Sequence, residues 1–478
     1  MVAANTRRIV IEPVTRVEGH GKVTILLDEE NRVRETRLHI VEFRGFERFV
    51  QGRPYWEMPV LVQRLCGICP VSHHLCAAKA TDMLVGADQL TPTAEKLRRL
   101  MHYGQTFQSH ALHFFYLASP DLLFGFEADP AVRNVVGVAA KYPDLALHGV
   151  LMRKYGQEVI KATAGKRIHG TGAIPGGINK SLSVQQRDEL LKQIDQMIEW
   201  SHEAVKIARD YVLEHLETAQ TFGAFESNHL SILRDDGALD LYDGKLKAIN
   251  ATGETIFENV PVQQYLDYLA EEVRPWSYMK FPFIKSLGPE QGWYRVGPLA
   301  RMNTCRFIDT PEADAARKEF VETLGSPSNS TLAYHWARMI EVLHSAEKMR
   351  DLLNDPDILG NDLVVSGERR DEGMAVLEAP RGTLFHHYRI NKNDQIVMAN
   401  MIVATTNNNE PMNQAVRRVA EEQLSGRPEI TEGMLNQIEV AIRAYDPCLS
   451  CATHAYGQMP LEVKLIGVDG EVLDVKRK

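Results

Sequence analysis

Two short cysteine stretches near opposite ends of the chain constrain its fold more than any other feature. The first is Arg64-Leu65-Cys66-Gly67-Ile68-Cys69-Pro70-Val71-Ser72-His73. The second is Asp446-Pro447-Cys448-Leu449-Ser450-Cys451-Ala452-Thr453-His454. Each is a C-x-x-C followed, after two or three residues, by a histidine, and nearly four hundred residues separate the pairs. Only tertiary folding brings four such thiols together, and a metal is the usual reason to do so. The other two cysteines, Cys76 and Cys305, read as small buried apolar residues. Six cysteines in 478 residues are too few for a disulfide scaffold.

Pro70 and Pro447 each suit the first position of a helix. That places Cys69 near one helix cap, and Cys448 and Cys451 in the first turns of another helix capped by Asp446. Helix N-termini favour negative charge, so these thiols are expected to ionise readily. Four thiolates select zinc, iron–sulfur, copper(I) or nickel. From spacing alone, a structural four-cysteine zinc site or a rubredoxin-like iron is the leading reading. Two features oppose it. Structural zinc usually staples small modules, whereas these pairs frame a whole chain. Arg64, His73, Asp446 and His454 are also polar residues that a closed structural site does not need, and they suit the surroundings of a reactive centre.

The rest of the chain reads as α+β and mainly helical, a large helical body with peripheral β-hairpins. Residues 8–45 carry three strand-like runs, Arg8 to Ile11, Lys22 to Leu27 and Val33 to Val41. Thr91-Pro92 opens a helix expected to reach about Leu117, and Ser183 to Gln186 is a capping box opening one to about Thr218. Further helices are expected over roughly 257–270, 311–324, 331–354, 411–424 and 431–444. A β-rich insertion is expected over about 221–256, and a second non-helical stretch over about 364–407. Asp469-Gly470, between two apolar runs, signals a terminal hairpin. Net charge is −9 with no basic block, which argues against nucleic acid. No apolar run is long enough for a membrane span and the N-terminus lacks a secretory core, so the expected location is cytoplasmic.

With these residues in place, the chain resembles the large subunit of the nickel–iron hydrogenases. Arg64 to His73 matches R-x-C-G-x-C-x-x-x-H, and Asp446 to His454 matches D-P-C-x-x-C-x-x-H. Three further matches keep the family's order: Pro13-Val14-Thr15-Arg16-Val17-Glu18-Gly19-His20, Arg44-Gly45-Phe46-Glu47 and Glu378-Ala379-Pro380-Arg381-Gly382. The resemblance implies that fold over residues 1–454, and a nickel–iron centre held by Cys66, Cys69, Cys448 and Cys451. Cys66 and Cys448 would bind nickel alone, and Cys69 and Cys451 would bridge to an iron carrying one CO and two cyanides. It implies a magnesium held by Glu47, His454 and the main-chain carbonyl of Met401. Catalytic roles would fall to Cys448, to Glu18 as a buried proton relay of raised pKa, and to Arg381 over the open metal position. Thr405 would hydrogen-bond a cyanide and His73 a cysteine sulfur, with Arg64, Asp446 and Pro380 supporting the centre.

The same resemblance implies partners. Dihydrogen is the substrate. An iron–sulfur small subunit takes the electrons, because this chain has no cysteines left for clusters. Ser109 stands where many members have an aspartate, and Val403-Ala404-Thr405-Thr406-Asn407 departs from V-P-T-T-W-N. With Cys69 to His74, these departures resemble the cytoplasmic, bidirectional, NAD-reducing subgroup. There, diaphorase subunits carry FMN and further iron–sulfur clusters and bind NAD, in keeping with the lack of a G-x-G-x-x-G fingerprint here. Nickel-insertion factors and an endopeptidase complete the list. The endopeptidase would cut between His454 and Ala455 and release the 24 residues to Lys478. A deazaflavin- or NADP-reducing subgroup and a non-catalytic subunit like that of respiratory complex I are the alternatives.

Overall fold

The computed structural model describes residues 7–453 in full, together with the backbone of Glu462–Ile466 and Val472–Arg477. Four long helices form the body: Pro92–Leu112, Pro143–Ala164, Val184–Glu214 and Ala333–Asn354. Each packs against two of the others. Ala333–Asn354 runs through the middle and is buried almost all round, from Ala333 to Glu347. A helix in that position cannot be amphipathic, because every face meets protein. Thr91 caps the Pro92–Leu112 helix by accepting the Ala94 N–H, and the Ser183–Gln186 capping box is fully formed.

Two antiparallel sheets pack on other helices, the first of them on Asn409–Leu424. Arg7–Ile11, Gly21–Leu27 and Val33–Ile40 form the first, in sequence order. Glu372–Ala379, Gly382–Ile390 and Ile396–Ile402 form the second, and it packs on the Pro70–Leu84 helix. The non-helical stretch expected over 364–407 is therefore a buried sheet beside the first cysteine pair. The β-rich insertion is a sheet of Asn228–Leu233, Lys245–Ile249 and Thr255–Val260, joined by a parallel Tyr294–Arg295. The terminal hairpin pairs Glu462–Ile466 with Val472–Arg477. The turn residues Asp469 and Gly470 lie outside the described residues.

Three expectations need correction. Residues 257–270 are not a helix: Thr255–Val260 and Leu269–Glu272 are strands, with one helical turn at Tyr265–Tyr268. The helix from Pro92 ends at Leu112 and widens into a π-helical turn over His113–Ala118. No α-helix follows Pro447. Cys448 opens only a 3-10 turn, Leu449–Cys451, and Asp446 takes a left-handed backbone with φ 54 instead of capping a helix. The Pro143–Ala164 helix was not anticipated.

Candidate metal centre

Cys66, Cys69, Cys448 and Cys451 converge, with their sulfurs all within 4.8 Å of one another and all four residues buried. Sγ–Sγ distances are 3.3 Å for Cys66–Cys448, 3.8 Å for Cys69–Cys451 and 2.6 Å for Cys448–Cys451. None is in a disulfide. Hydrogen bonds from Cys448, Cys451 and Cys69 push the Cys66 thiol well below its usual range, with help from Arg381. Burial, followed by the crowding of sulfurs, pushes Cys448 and Cys451 well above it. The ready ionisation expected of Cys448 and Cys451 at a helix N-terminus is therefore not found for the thiols themselves. A cation among the sulfurs is what makes several thiolates tenable.

The first pair is placed by its own neighbourhood. Cys69 is the N-cap residue of the Pro70–Leu84 helix, with Pro70 at the first helical position. Cys66 Sγ accepts the N–H groups of Ile68 at 3.1 Å and Cys69 at 3.3 Å. Gln105 and Gln108 both donate to the Ile68 carbonyl, at 2.9 and 2.8 Å. Sequence reasoning missed these two amides. Their signal was an i, i+3 pair of polar residues on the buried face of a helix.

The second pair is placed by distant chain. Cys448 N–H donates to Thr405 Oγ1 at 3.0 Å, and Thr406 Oγ1 donates to the Ala452 carbonyl at 3.1 Å. The P-V-T-R-V-E-G-H loop lies alongside: Leu449 N–H donates to the Glu18 carbonyl at 3.0 Å. Glu18 Oε2 sits 3.0 Å from Cys448 Sγ and accepts the Ser450 N–H at 3.2 Å, while the Ser450 hydroxyl donates to Oε1. Gly19 makes this approach possible. Its φ is +84, and a Cβ there would stand 2.8 Å from Ser450 N. Arg16 anchors the loop through Asp121 at 2.5 Å and the Leu117 carbonyl at 2.8 Å. Glu18 is half-buried rather than sealed.

Arg381 occupies the tip of a tight hairpin. Ala379 pairs with Gly382, so Pro380 and Arg381 are the whole turn. Gly382 has φ +135, and a Cβ there would collide with Val296 at 2.2 Å. Glu378 braces the turn by accepting Arg301 at 2.7 Å and Thr383 at 2.8 Å. Arg381 is itself buried and donates to the Asp446 carbonyl at 2.6 Å, to Asp446 Oδ1 at 3.0 Å and to Ser109 Oγ at 3.2 Å. Burial opposes its charge, but Asp446 and the cysteine sulfurs hold the guanidinium well above the usual arginine range.

A small cavity of about 10 Å³ lies beside Cys69, Cys448 and Cys451. Leu384, Val403 and Ala404 line one side, and Thr405, Pro380 and Arg381 the other. The four-sulfur set fits a nickel–iron centre.

The remaining sequence-predicted residues divide. Asp446, Thr405 and Pro380 are at the site. His73 is buried next to it, but its Nδ1 bonds His386 Nε2 at 3.2 Å and not a sulfur. Arg64 is exposed and meets His169 at 2.8 Å, and His169 Nε2 reaches the Cys66 carbonyl at 2.9 Å. Arg64 thus acts through His169, not at the centre. Glu47 Oε1 accepts the Met401 N–H at 2.9 Å, which brings those two together. Burial raises the Glu47 carboxyl above its usual value, against the pull of Lys280. His454 and Ala455 lie outside the described residues.

Comparison with known proteins agrees. Residues 44–141 and 147–454 match the family model described as nickel-dependent hydrogenase, and residues 8–43 match one described as HoxL-like. The beta subunit of the NAD-reducing hydrogenase HoxS of Cupriavidus necator is 49% identical, over 99% of this chain and 100% of the relative. The corresponding chain of the vhu F420-non-reducing hydrogenase of Methanococcus voltae is 45% identical, over 87% of this chain and 98% of its own length. A crystal structure of NAD+-reducing [NiFe]-hydrogenase in the H2-reduced state superimposes with a TM-score of 0.92 and 56% identity, covering 94% of this chain and 99% of its own. A buried four-cysteine centre, five family motifs folded around it and these matches along the chain lead to one conclusion: the protein belongs to the nickel-dependent hydrogenases and is a large subunit of that family.

Proposed function

We propose that this chain splits and forms dihydrogen reversibly as the large subunit of an NAD-reducing nickel–iron hydrogenase. The observation that carries the reading is the Glu18 carboxylate 3.0 Å from Cys448 Sγ, at the edge of the four-sulfur cluster. Dihydrogen is non-polar and a very weak acid. Its heterolysis needs an electrophile for the electron pair and a base for the proton. The nickel–iron centre, when bound, supplies the electrophile. Cys66, Cys69, Cys448 and Cys451 would hold that centre through their sulfurs. Its iron would carry one CO and two cyanides. Thr405 accepts the Cys448 N–H, and its own O–H would donate to a cyanide.

The protein supplies the rest. Cys448 takes the proton and passes it to Glu18. Ser450 fixes both Glu18 oxygens, and the half-buried carboxylate leads outward. Arg381 adds a fixed positive charge and excludes water above the sulfurs. Replacing Glu18 with Gln in the anaerobic complex is expected to lower hydrogen–deuterium exchange by about 10²–10⁴-fold at unchanged nickel and iron content. Full exchange in that variant would refute the relay.

Electrons leave the chain: Cys76 and Cys305 stand outside the four-cysteine group, which is the one His/Cys/Asp/Glu group among the described residues placed to hold a metal. An iron–sulfur small subunit receives the electrons, and diaphorase subunits carrying FMN and further clusters deliver them to NAD+. The likeness to the NAD-reducing relatives supports this acceptor over a deazaflavin or NADP. Among the described residues no helix is long and apolar enough to cross a membrane, which accords with a cytoplasmic enzyme.

Residues 1–454 form the mature subunit. After nickel insertion, an endopeptidase removes 455–478. The family match ends at residue 454, which supports this boundary. The N–H groups of Arg44 and Gly45 both donate to the Thr453 carbonyl, at 3.0 and 3.1 Å. That tethers the chain before His454 to the segment bearing Glu47. In this reading His454, Glu47 and the Met401 carbonyl would hold magnesium.

A further inference from the structure

We propose that Arg338 is a positioning residue for Arg381, acting through Asp446, so that two buried guanidiniums share one carboxylate with a water between Arg338 and Asp446. The proposal deepens the reading above and rests on it for the role of Arg381.

Arg338 lies on the central Ala333–Asn354 helix and is fully buried. A buried charge is costly unless paired and hydrogen-bonded. Other buried arginines obey this rule. Arg98 meets Asp82 at 2.6 Å, Arg301 meets Glu341 at 2.6 Å, and Arg443 meets Asp121 at 3.0 Å. Arg295 stacks 4.0 Å over Phe225 instead. Arg338 has neither device among the described residues. Its Nη2 donates to the Ala444 carbonyl at 2.9 Å, its Nη1 reaches the Tyr334 carbonyl at 3.4 Å, and its Nε has no partner.

The carbonyl it grips is informative. Ala444 ends the Glu432–Ala444 helix, whose last carbonyls lack partners within the helix. His113 takes the one before, Arg443, at 2.7 Å. Two residues past Ala444 the chain turns through the left-handed Asp446 toward Cys448. Asp446 Oδ1 accepts Arg381, while Asp446 Oδ2 is buried with no hydrogen-bond partner. A donor on Arg338 and an acceptor on Asp446 thus remain open, and each charge acts on the other: burial pulls Arg338 down to about 10, and Asp446 resists. Nδ1 of His113 and Nδ1 of His335 are open as well, on rings stacked 5.6 Å apart. Buried water typically settles where two to four such atoms meet.

The charge balance gives the arrangement its use. Arg381 and Asp446 alone cancel. Arg338, on which Glu341 also acts, adds a second guanidinium to Asp446 and keeps that carboxylate from swinging away from Arg381. A high-resolution crystal structure of the metal-loaded complex is expected to show one ordered water bonded to both Arg338 Nε and Asp446 Oδ2. A structure in which that water bond is missing from either atom overturns the proposal. Variants give a second reading, with nickel and iron quantified in each. R338M is expected to lose hydrogen–deuterium exchange per nickel by about 10–100-fold and to shift the infrared bands of the centre, and R338K to restore the bands toward their original position. Unchanged exchange per nickel and unchanged bands in R338M, even with a lower melting temperature, also overturn it. If R338M does not fold, the crystallographic water decides. Absence of nickel and iron from the unaltered complex would instead count against the function proposed above.

Discussion

Cys66 and Cys69 are placed by the chain next to them, whereas Cys448 and Cys451 are placed by chain far away. The first pair sits on a helix N-terminus, with a capping position, a first-turn proline and local N–H groups on sulfur. The second pair has one 3-10 turn of its own. It depends on Thr405, Thr406, the Glu18 loop and the Arg381 hairpin, which come from opposite ends of the sequence. A site assembled this way exists only once the whole domain has folded. The half placed by distant chain carries the proposed proton route.

The largest test treats both pairs alike. Cys448→Ser is expected to block dihydrogen turnover, and Cys69→Ser to lower bound nickel and iron by more than about tenfold, by metal analysis of purified protein. Full metal loading after loss of a cysteine from either pair would break the idea of a single four-sulfur site. The next test separates the pairs. Gly19→Ala is expected to cost about 2–4 kcal/mol and to lower exchange activity, because a side chain at φ +84 also collides with Ser450. Thr405→Val leaves the buried Cys448 N–H without its acceptor and is expected to cost about 1–3 kcal/mol in chemical denaturation.

Acid probes the support of the first pair. His74, on the Pro70–Leu84 helix, bonds the Pro59 carbonyl through Nδ1 and accepts the Ala173 N–H on Nε2. Burial lowers it to about 4 from 6.5. Its contribution is complete above pH 6.5 and is lost as pH falls toward 4, because the unfolded chain takes the proton first. Between pH 7 and 5 this amounts to about 2 kcal/mol, and His74→Gln should flatten that part of the stability profile. The smallest effect is Pro70→Ala, expected to cost less than about 1 kcal/mol, since Cys69 keeps its place through the other contacts. A Pro70→Ala cost above that of Thr405→Val would reverse the comparison.

The same contrast governs what the sequence made legible. Local signals were read correctly: the Ser183 capping box, Pro311–Leu324, Pro70 after Cys69, and the three N-terminal strands. Pro447 carried the same helix signal as Pro70 and misled, because Arg381 takes the Asp446 carbonyl and carboxylate and holds that residue in a left-handed turn. Over 257–270, Phe257, Val260, Tyr265 and Leu269 fall at nearly helical spacing. Pairing of Thr255–Val260 with Lys245–Ile249 outweighs that pattern. The cysteines, Glu18, Glu47 and Arg381 were legible through motifs. Ser450, Gln105, Gln108 and Arg338 were not, because their roles arise from contacts between elements distant in sequence. His73 was assigned to sulfur because a motif gives position but not which way a ring nitrogen faces.

The most direct test of the central claim is an infrared spectrum of the anaerobically purified native complex. Metal-bound CO and cyanide bands from a centre in this chain are the expected result. Their absence from processed protein ending at His454 would contradict it and return the four sulfurs to a structural zinc.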